Sequence, residues 1–369
     1  MTELISVGGY GCVYRPNINC DGSTGKNPKF ISKLQVHNES SINELYIANK
    51  LKKYDDVFVL PQEKCEINKK MIKRSDCPLI EKHSNLLLIK MNYINNKSFF
   101  DLLTEDDNLE RQIYVLLYNY GTLIKSLYIL KENNILHYDL KLDNILYDID
   151  AEYPKIIDFG ISLDTTKISL TNLRKTFWIY APWYYVWCPQ IHFICYLVNV
   201  NATPQLSDIE ELVHDYIKNN EILSLLDSKY LTEYEVSYVS YLSSFIGSAV
   251  KDVAKELLRH SSNWDIYSLG LIFIKLHKFV TKKNNIKHPF FDFFMDILKS
   301  TIHPDPRNNL TEKEIMKLLY DYTKEKKIKT TIKNKGFTPQ YVSSIKKYHK
   351  SHWNKIDNKL TECSLQKIE

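Results

Sequence analysis

Apolar and polar positions along the chain switch between the two-residue period of strands and the 3.6-residue period of helices. Residues 3–7 and 12–14 read as short strands joined by Gly8, Gly9, Tyr10 and Gly11. Residues 16–29 (PNINCDGSTGKNPK) are turn-rich and predict an insertion of low structural content. A strand carrying Lys33 follows over residues 30–34, then a helix over 38–53 in which Glu44, Ala48 and Leu51 share one face. Residues 85–91 (NLLLIKM) read as a buried strand, and 60–84 are polar with two cysteines and no functional reading. From 109 to 133 the apolar positions recur at helical spacing, which predicts a core helix. Apolar pairs at 135–136, 145–146 and 156–157 give loop, strand, turn and strand, with a turn at Tyr153 and Pro154. Residues 201–260 are helix-rich without a readable motif, and further helices are expected over 271–280, 290–298 and 311–322.

Composition narrows this picture to a folded chain. With 369 residues, 44% hydrophobic and 25% charged, it can bury a sizeable core and is not disordered in bulk. Ten glycines among many Ile, Lys, Asn and Tyr point to an AT-rich coding genome. The seven cysteines (12, 20, 65, 77, 188, 195, 363) form no CxxC pair, so a zinc site is not expected and reduced cytosolic thiols are. The chain opens on a strand-like segment with no signal peptide, and a cytoplasmic location is expected. The net charge of +5 is uneven: from Asp321 onward twelve lysines face five acidic residues. Such a basic tail is a solvated run or a contact for an acidic partner or nucleic acid. Residues 177–200 carry no formal charge, but Pro182, Pro189, Gln190 and His192 interrupt them, so a substrate-facing loop is expected there rather than a membrane span.

The chemistry concentrates in residues 134–160, NILHYDLKLDNILYDIDAEYPKIIDFG. A hairpin between Asp139 and Asp158 brings both carboxylates to one site. Asn144 and Asp158 offer the hard oxygens that Mg²⁺ takes when it shares phosphates. Asp139 is then left to orient a hydroxyl and accept its proton, and Lys141 to neutralise a migrating phosphoryl group.

HYDLKLDN followed by DFG resembles the catalytic and metal-binding loops of the protein kinases, and the combination is specific. The stretch SVGGYGCV resembles the glycine-rich loop of that family, with Ser6 in place of the first glycine, Val7, Gly8, Gly9 and Gly11 along the loop, and Val13 as the residue that packs on adenine. Lys33 resembles the strand lysine that holds the α- and β-phosphates. Glu44 is its partner, unless Ser41 to Glu44 is a capping box, with Glu39 the remote alternative. Met91 resembles the residue at the back of the pocket, and Asn92, Tyr93 and Ile94 the hinge. Tyr138 stands where many relatives have the arginine that pairs with an activation-segment phosphate. Phosphorylation of Thr165, Thr166, Ser169, Thr171 or Thr176 is therefore not expected to switch the chain. Ala181-Pro182-Trp183, favoured by the position of Thr176, or Cys188-Pro189-Gln190 replaces Ala-Pro-Glu. Neither supplies a glutamate for Arg307. Asp265 resembles the anchor of the catalytic loop, or a plain helix N-cap.

The resemblance covers residues 4–320 and implies a two-lobed α+β fold: a sheet-rich lobe over 1–91, a hinge and helical lobe over 92–320 with an insertion at 201–260, and a basic tail over 321–369. It implies ATP and Mg²⁺ as cofactors, protein substrates, and transfer to Ser/Thr hydroxyls, because Lys141 is the serine/threonine form of its loop. The divergent loops look like kinases of large DNA viruses. A pseudokinase scaffold and a small-molecule or lipid kinase on the same fold stay open as alternatives.

Overall fold

A computed structural model describes residues 2–325 apart from 9–10, 69, 71–76, 106–107 and 285–287. Its N-terminal part is an antiparallel sheet of β1 (Glu3–Gly8), β2 (Gly11–Arg15), β3 (Phe30–Val36), β4 (Glu63–Ile67) and β5 (Leu86–Asn92), in the order β1-β2-β3-β5-β4. Strand alternation gives each face its own job. Lys33 lies opposite Val13 and Ile89, and Gln35 opposite Leu87, so these residues share one face. On that face Leu87, Ile89 and Met91 pack with Val59 and Ile94. The helix α1 (Glu39–Leu51) follows β3 and carries Glu44 to this side of the sheet.

The opposite face is covered by the two segments that carried no motif. Cys12, Tyr14, Leu34, Leu86 and Leu88 pack against Ile18 of the 16–29 insertion and against Cys77 and Ile80 at α2 (Pro78–Lys82). Two disulfides staple this cover. Cys12 joins Cys77 at a Cα separation of 6.0 Å, and Cys20 joins Cys65 of β4 at 5.9 Å. The expectation of reduced thiols is thus corrected for all four cysteines of this lobe, because folding brings pairs 65 and 45 residues apart into bonding range. Cys188 and Cys195 remain free and buried. Strand β4 was not expected, since EKCEI exposes most of its side chains and gives no apolar face to read.

The helical part holds α3 (Phe99–Thr104), α4 (Leu109–Glu132), α5 (Leu173–Thr176), α6 (Pro189–Asn199), α7 (Leu206–Asn219), α8 (Ser228–Ser243), α9 (Val250–Arg259), α10 (Ser262–Asn284), α11 (Pro289–Lys299) and α12 (Glu312–Glu325). Its centre is α10, which buries Trp264, Ile266, Tyr267, Leu269, Leu271, Phe273 and Ile274, apolar on every side as a helix inside a core must be. Helix α4 packs on both α10 and α12. It is also long and apolar enough to cross a membrane, but 78% of its most apolar window is buried inside the protein. Short strands complete the layout: β6 (Asn96–Lys97), β8 (Ile145–Asp148) and β9 (Tyr153–Ile156) form one sheet, and β7 (Ile135–Leu136) pairs with β10 (Leu163–Asp164). Pro154 sits on β9, an edge strand that tolerates a missing N–H. A sheet-rich region followed by a helical one is the α+β architecture expected. The lysine-rich tail beyond residue 325 and Cys363 lie outside the described residues.

Candidate active site

Asn38 caps α1: its side chain accepts from the Ser41 N–H at 3.1 Å, and the Ser41 hydroxyl accepts from the Asn38 N–H at 2.9 Å. The capping box therefore uses Ser41 as its far member, which leaves Glu44 inside the helix and buried, whereas Glu39 is exposed. Lys33 Nζ lies 3.1 Å from the Glu44 carboxylate and 3.2 Å from Asp158 Oδ1, and Gln35 donates to Glu44 at 3.0 Å. Burial pulls the Lys33 ammonium down, but the Glu44 and Asp158 carboxylates outweigh it and hold its pKa above the ordinary value. A buried cation paired on two sides is costly to disturb: removing one partner of such a pair costs about 3–5 kcal/mol.

The same helix grips the loop after Asp158. The Asn43 side-chain amide donates to the carbonyls of Phe159 (3.3 Å), Gly160 (3.1 Å) and Ser162 (2.8 Å). A Cβ on Gly160 would stand 2.6 Å from Ser40 Oγ, so any larger residue here would have to turn the Ser40 hydroxyl aside. One turn further on, Tyr46 and Lys50 (2.9 Å) donate to Asp164. Burial opposes ionisation of Asp164, but hydrogen bonds from Thr166, Tyr46 and Lys50 win and hold the carboxyl below its usual range. None of Gln35, Asn43, Tyr46 and Lys50 was singled out in the sequence. Their partners lie on other elements, and only the helix spacing linking 43, 46 and 50 hinted at one face.

In the loop 137–144, Asp265 accepts the N–H groups of His137 (2.7 Å) and Tyr138 (3.0 Å). Helix α10 starts at Ser262, so Asp265 is not its N-cap. His137 Nε2 donates to the Ile157 carbonyl at 2.9 Å, and its ring meets Phe159 edge-on at 5.1 Å, tying this loop to the strand that delivers Asp158. Tyr138 and Asp158 both hold left-handed backbone, φ 68° and 64°, a conformation that non-glycine residues keep only where surroundings impose it. Asp139 is buried; its Oδ2 takes Lys141 at 3.1 Å and Asn144 Nδ2 at 3.0 Å.

Tyr138 is an apolar plug rather than a phosphate receptor. It is buried beside Trp187 (5.0 Å) and Phe177 (6.4 Å), and burial pushes its phenol far above the usual pKa. The segment around it is held by neutral contacts. Trp187 Nε1 donates to the Tyr138 carbonyl (2.8 Å), Ser268 to Val186 (2.7 Å), Tyr216 to the Trp187 carbonyl (3.1 Å) and Tyr238 to the Pro189 carbonyl (3.2 Å). Tyr216 and Tyr238 come from the 201–260 insertion, which thereby props up the end of this segment. Helix α6 begins at Pro189, so Cys188-Pro189-Gln190, not the favoured Ala181-Pro182-Trp183, occupies the helix start after the segment. Gln190 donates to the Pro304 carbonyl at 2.5 Å, and Arg307 pairs instead with Asp305 at 2.6 Å. A residue the sequence reading passed over, Tyr184, donates its hydroxyl to Asp139 Oδ1.

Ser6, Val7 and Gly8 lie exposed on β1, Ser6 opposite Val13 and Gly8 opposite Gly11; Gly9 lies outside the described residues. A Cβ on Gly11 would meet the Leu34 carbonyl at 2.8 Å, so glycine here serves close strand packing. Val13 shares the Lys33 face, and Met91, opposite Ile31, is buried on the same face. In the expected hinge 92–94, the Tyr93 N–H donates to the Lys29 carbonyl at 2.8 Å, and the Arg15 guanidinium stacks 3.4 Å from the Tyr93 ring centre. Asn144 donates through its amide nitrogen, so its side-chain oxygen has no partner among the described residues, and neither does Asp158 Oδ2. Two such hard oxygens fit a Mg²⁺ ion shared with phosphates.

Residues 3–184 match the family model described as protein kinase domain. The chain is 26% identical over 253 residues to "Serine/threonine-protein kinase CST20" of Candida albicans, covering 52% of this chain and 20% of that protein. It is likewise 26% identical over 212 residues to "Serine/threonine-protein kinase STE20" of Debaryomyces hansenii, covering 46% and 19%. The chain thus spans about a fifth of the length of these relatives.

Proposed function

The chain belongs to the eukaryotic-type protein kinase superfamily, and from that premise we propose that it transfers the γ-phosphoryl group of Mg·ATP to serine or threonine hydroxyls of proteins. The observation that carries this reading is Lys33 bridging Glu44 and Asp158, at 3.1 and 3.2 Å. Bound Mg·ATP supplies the phosphoryl group and neutralises the charge that develops on it. Lys33, fixed by two carboxylates, holds a positive charge where the phosphates would be placed under Gly8–Gly11. Asn144 and Asp158 would hold the metal through their unpartnered oxygens. Asp139, oriented by Asn144, takes the proton of the acceptor hydroxyl, and Lys141 balances the charge beside it. Asp265 keeps the Asp139 loop in register by its two backbone bonds. The serine/threonine preference rests on Lys141 and on the printed names of the two relatives.

The test is transfer from Mg·ATP to casein and histone, comparing wild type with Asp158→Asn. Labelling on Ser or Thr that falls by orders of magnitude in the variant supports the reading. A folded wild type as silent as the variant, across Mg²⁺ and Mn²⁺, would sink it in favour of a scaffold.

A further inference from the structure

Four of the hydroxyls named in the activation segment are engaged with groups other than Asp139. Thr165 donates to the Asn134 carbonyl (3.3 Å), Thr166 to Asp164 (2.6 Å), and Ser169 meets Thr171 (3.0 Å). The hydroxyl that the fold does deliver to Asp139 belongs to Tyr184, on Oδ1, while Lys141 and Asn144 hold Oδ2. Its backbone is pinned on both sides. The Tyr184 N–H donates to the Ala181 carbonyl at 2.9 Å, and His192 Nε2 lies 3.0 Å from the Tyr184 carbonyl. Burial pulls His192 down to about 4, so at neutral pH its ring is uncharged and Nε2–H donates. The Tyr184 ring stands edge-on to Trp187 at 5.2 Å, and Lys141 Nζ lies 6.0 Å from its centre. The ring is half-buried, so part of it already faces solvent while its hydroxyl is held on Asp139.

We propose that Tyr184 is a built-in acceptor: its hydroxyl occupies the acceptor seat on Asp139 and is phosphorylated in cis by the same site. The inference rests on the phosphotransfer reading above. The Tyr184 Oη–Pγ bond forms as the bond from Pγ to the β–γ bridging oxygen breaks. ADP leaves with that electron pair, and the phenol proton passes to Asp139. The product carries nearly two negative charges beside the Asp139 carboxylate, and like-charge repulsion expels it. With the backbone pinned, only the side chain swings away, and the seat opens to hydroxyls of other proteins.

The experiment incubates the full chain with Mg·ATP, casein and histone and maps phosphate by mass spectrometry. Phosphate at Tyr184 should approach one per chain at a rate independent of protein concentration and vanish in Asp139→Asn. Casein and histone labelling by wild type should show a lag that matches Tyr184 filling, and Tyr184→Phe should show none. Without nucleotide, Tyr184→Phe should melt about 2–4 °C lower through loss of the seated bond. An unchanged melting temperature overturns the seated hydroxyl. An unmodified Tyr184 beside labelled casein or histone overturns the proposal and leaves phosphotransfer standing. If Tyr184, casein and histone all stay unlabelled, the phosphotransfer reading falls and takes this one with it.

Discussion

Replacing Cys12 and Cys77 by alanine tests whether the sheet-rich lobe depends on its staples. Alanine is the right probe because both sulfurs are fully buried, and serine would add an unpaired hydroxyl. The two cross-links are nested: the Cys20–Cys65 loop of 45 residues lies inside the Cys12–Cys77 loop of 65. Closing the inner loop alone removes about 4 kcal/mol of unfolded-state entropy. With it closed, the outer ring shortens to about 20 residues and its closure adds about 3 kcal/mol. Together that is about 7 kcal/mol, as large as the whole stability of many domains. The double alanine variant should therefore lose about 3 kcal/mol, and full reduction should unfold the lobe or drop its melting temperature by more than about 10 °C. Two measurements check this. Alkylation of the unreduced, denatured chain should label Cys188 and Cys195 and leave Cys12, Cys20, Cys65 and Cys77 unlabelled. Thermal unfolding with and without dithiothreitol gives the energetic difference. Cys188→Ala, which breaks no cross-link, is the control. Seven reactive thiols in a protein whose melting temperature ignores dithiothreitol would refute the reasoning and restore the expectation of a reduced lobe. Two cross-links would place its maturation where a disulfide donor such as oxidised glutathione can act.

Glu44→Gln takes away one of the two charges on Lys33 and should lower kcat/KM for ATP by about 10- to 100-fold, or 1.4–2.8 kcal/mol; wild-type kinetics would mean that Asp158 alone positions the lysine. Asp164 titrates below its unfolded value of about 3.9, so its contribution is complete above that pH and is lost as pH falls towards the folded value. Urea unfolding of wild type should weaken more between pH 5 and pH 3 than that of Asp164→Asn, and equal slopes would contradict the assignment. Gln190→Glu restores the acidic residue common in the family, yet should destabilise by about 1–3 kcal/mol, because a carboxylate would face the Pro304 carbonyl that Gln190 now donates to. A gain in the unfolding midpoint would instead show Arg307 leaving Asp305 for the new acid.

The stretch 134–160 was legible because the phosphotransfer chemistry proposed for it demands fixed residue types at short spacing. His137, Asp139, Lys141, Asn144 and Asp158 sit within one loop and one hairpin, so their order along the chain already encodes their proximity. Lys33 and Glu44 were readable for a similar reason: strand β3 leads straight into α1, and a helix cap at Asn38 sets which face Glu44 presents. Local spacing carried no information about encounters between distant segments. The start of α6 at Pro189 rather than Ala181 depended on how Trp187 packs on Tyr138, since both tripeptides carry a proline suited to a helix start. Strand β4 and the cover of residues 16–29 and 77–82 form only because β5 and β2 supply an apolar face for them. Pairing of Cys12 with Cys77 and of Cys20 with Cys65, and delivery of the Tyr184 hydroxyl to Asp139, are likewise products of the closed fold. The sequence by itself determined the chemical groups and the two-part architecture, because those follow from residue type and local period. Tertiary structure alone decided which sulfurs meet and which hydroxyl sits on Asp139, because side chains 45 to 65 residues apart find each other only through the packing of everything between them.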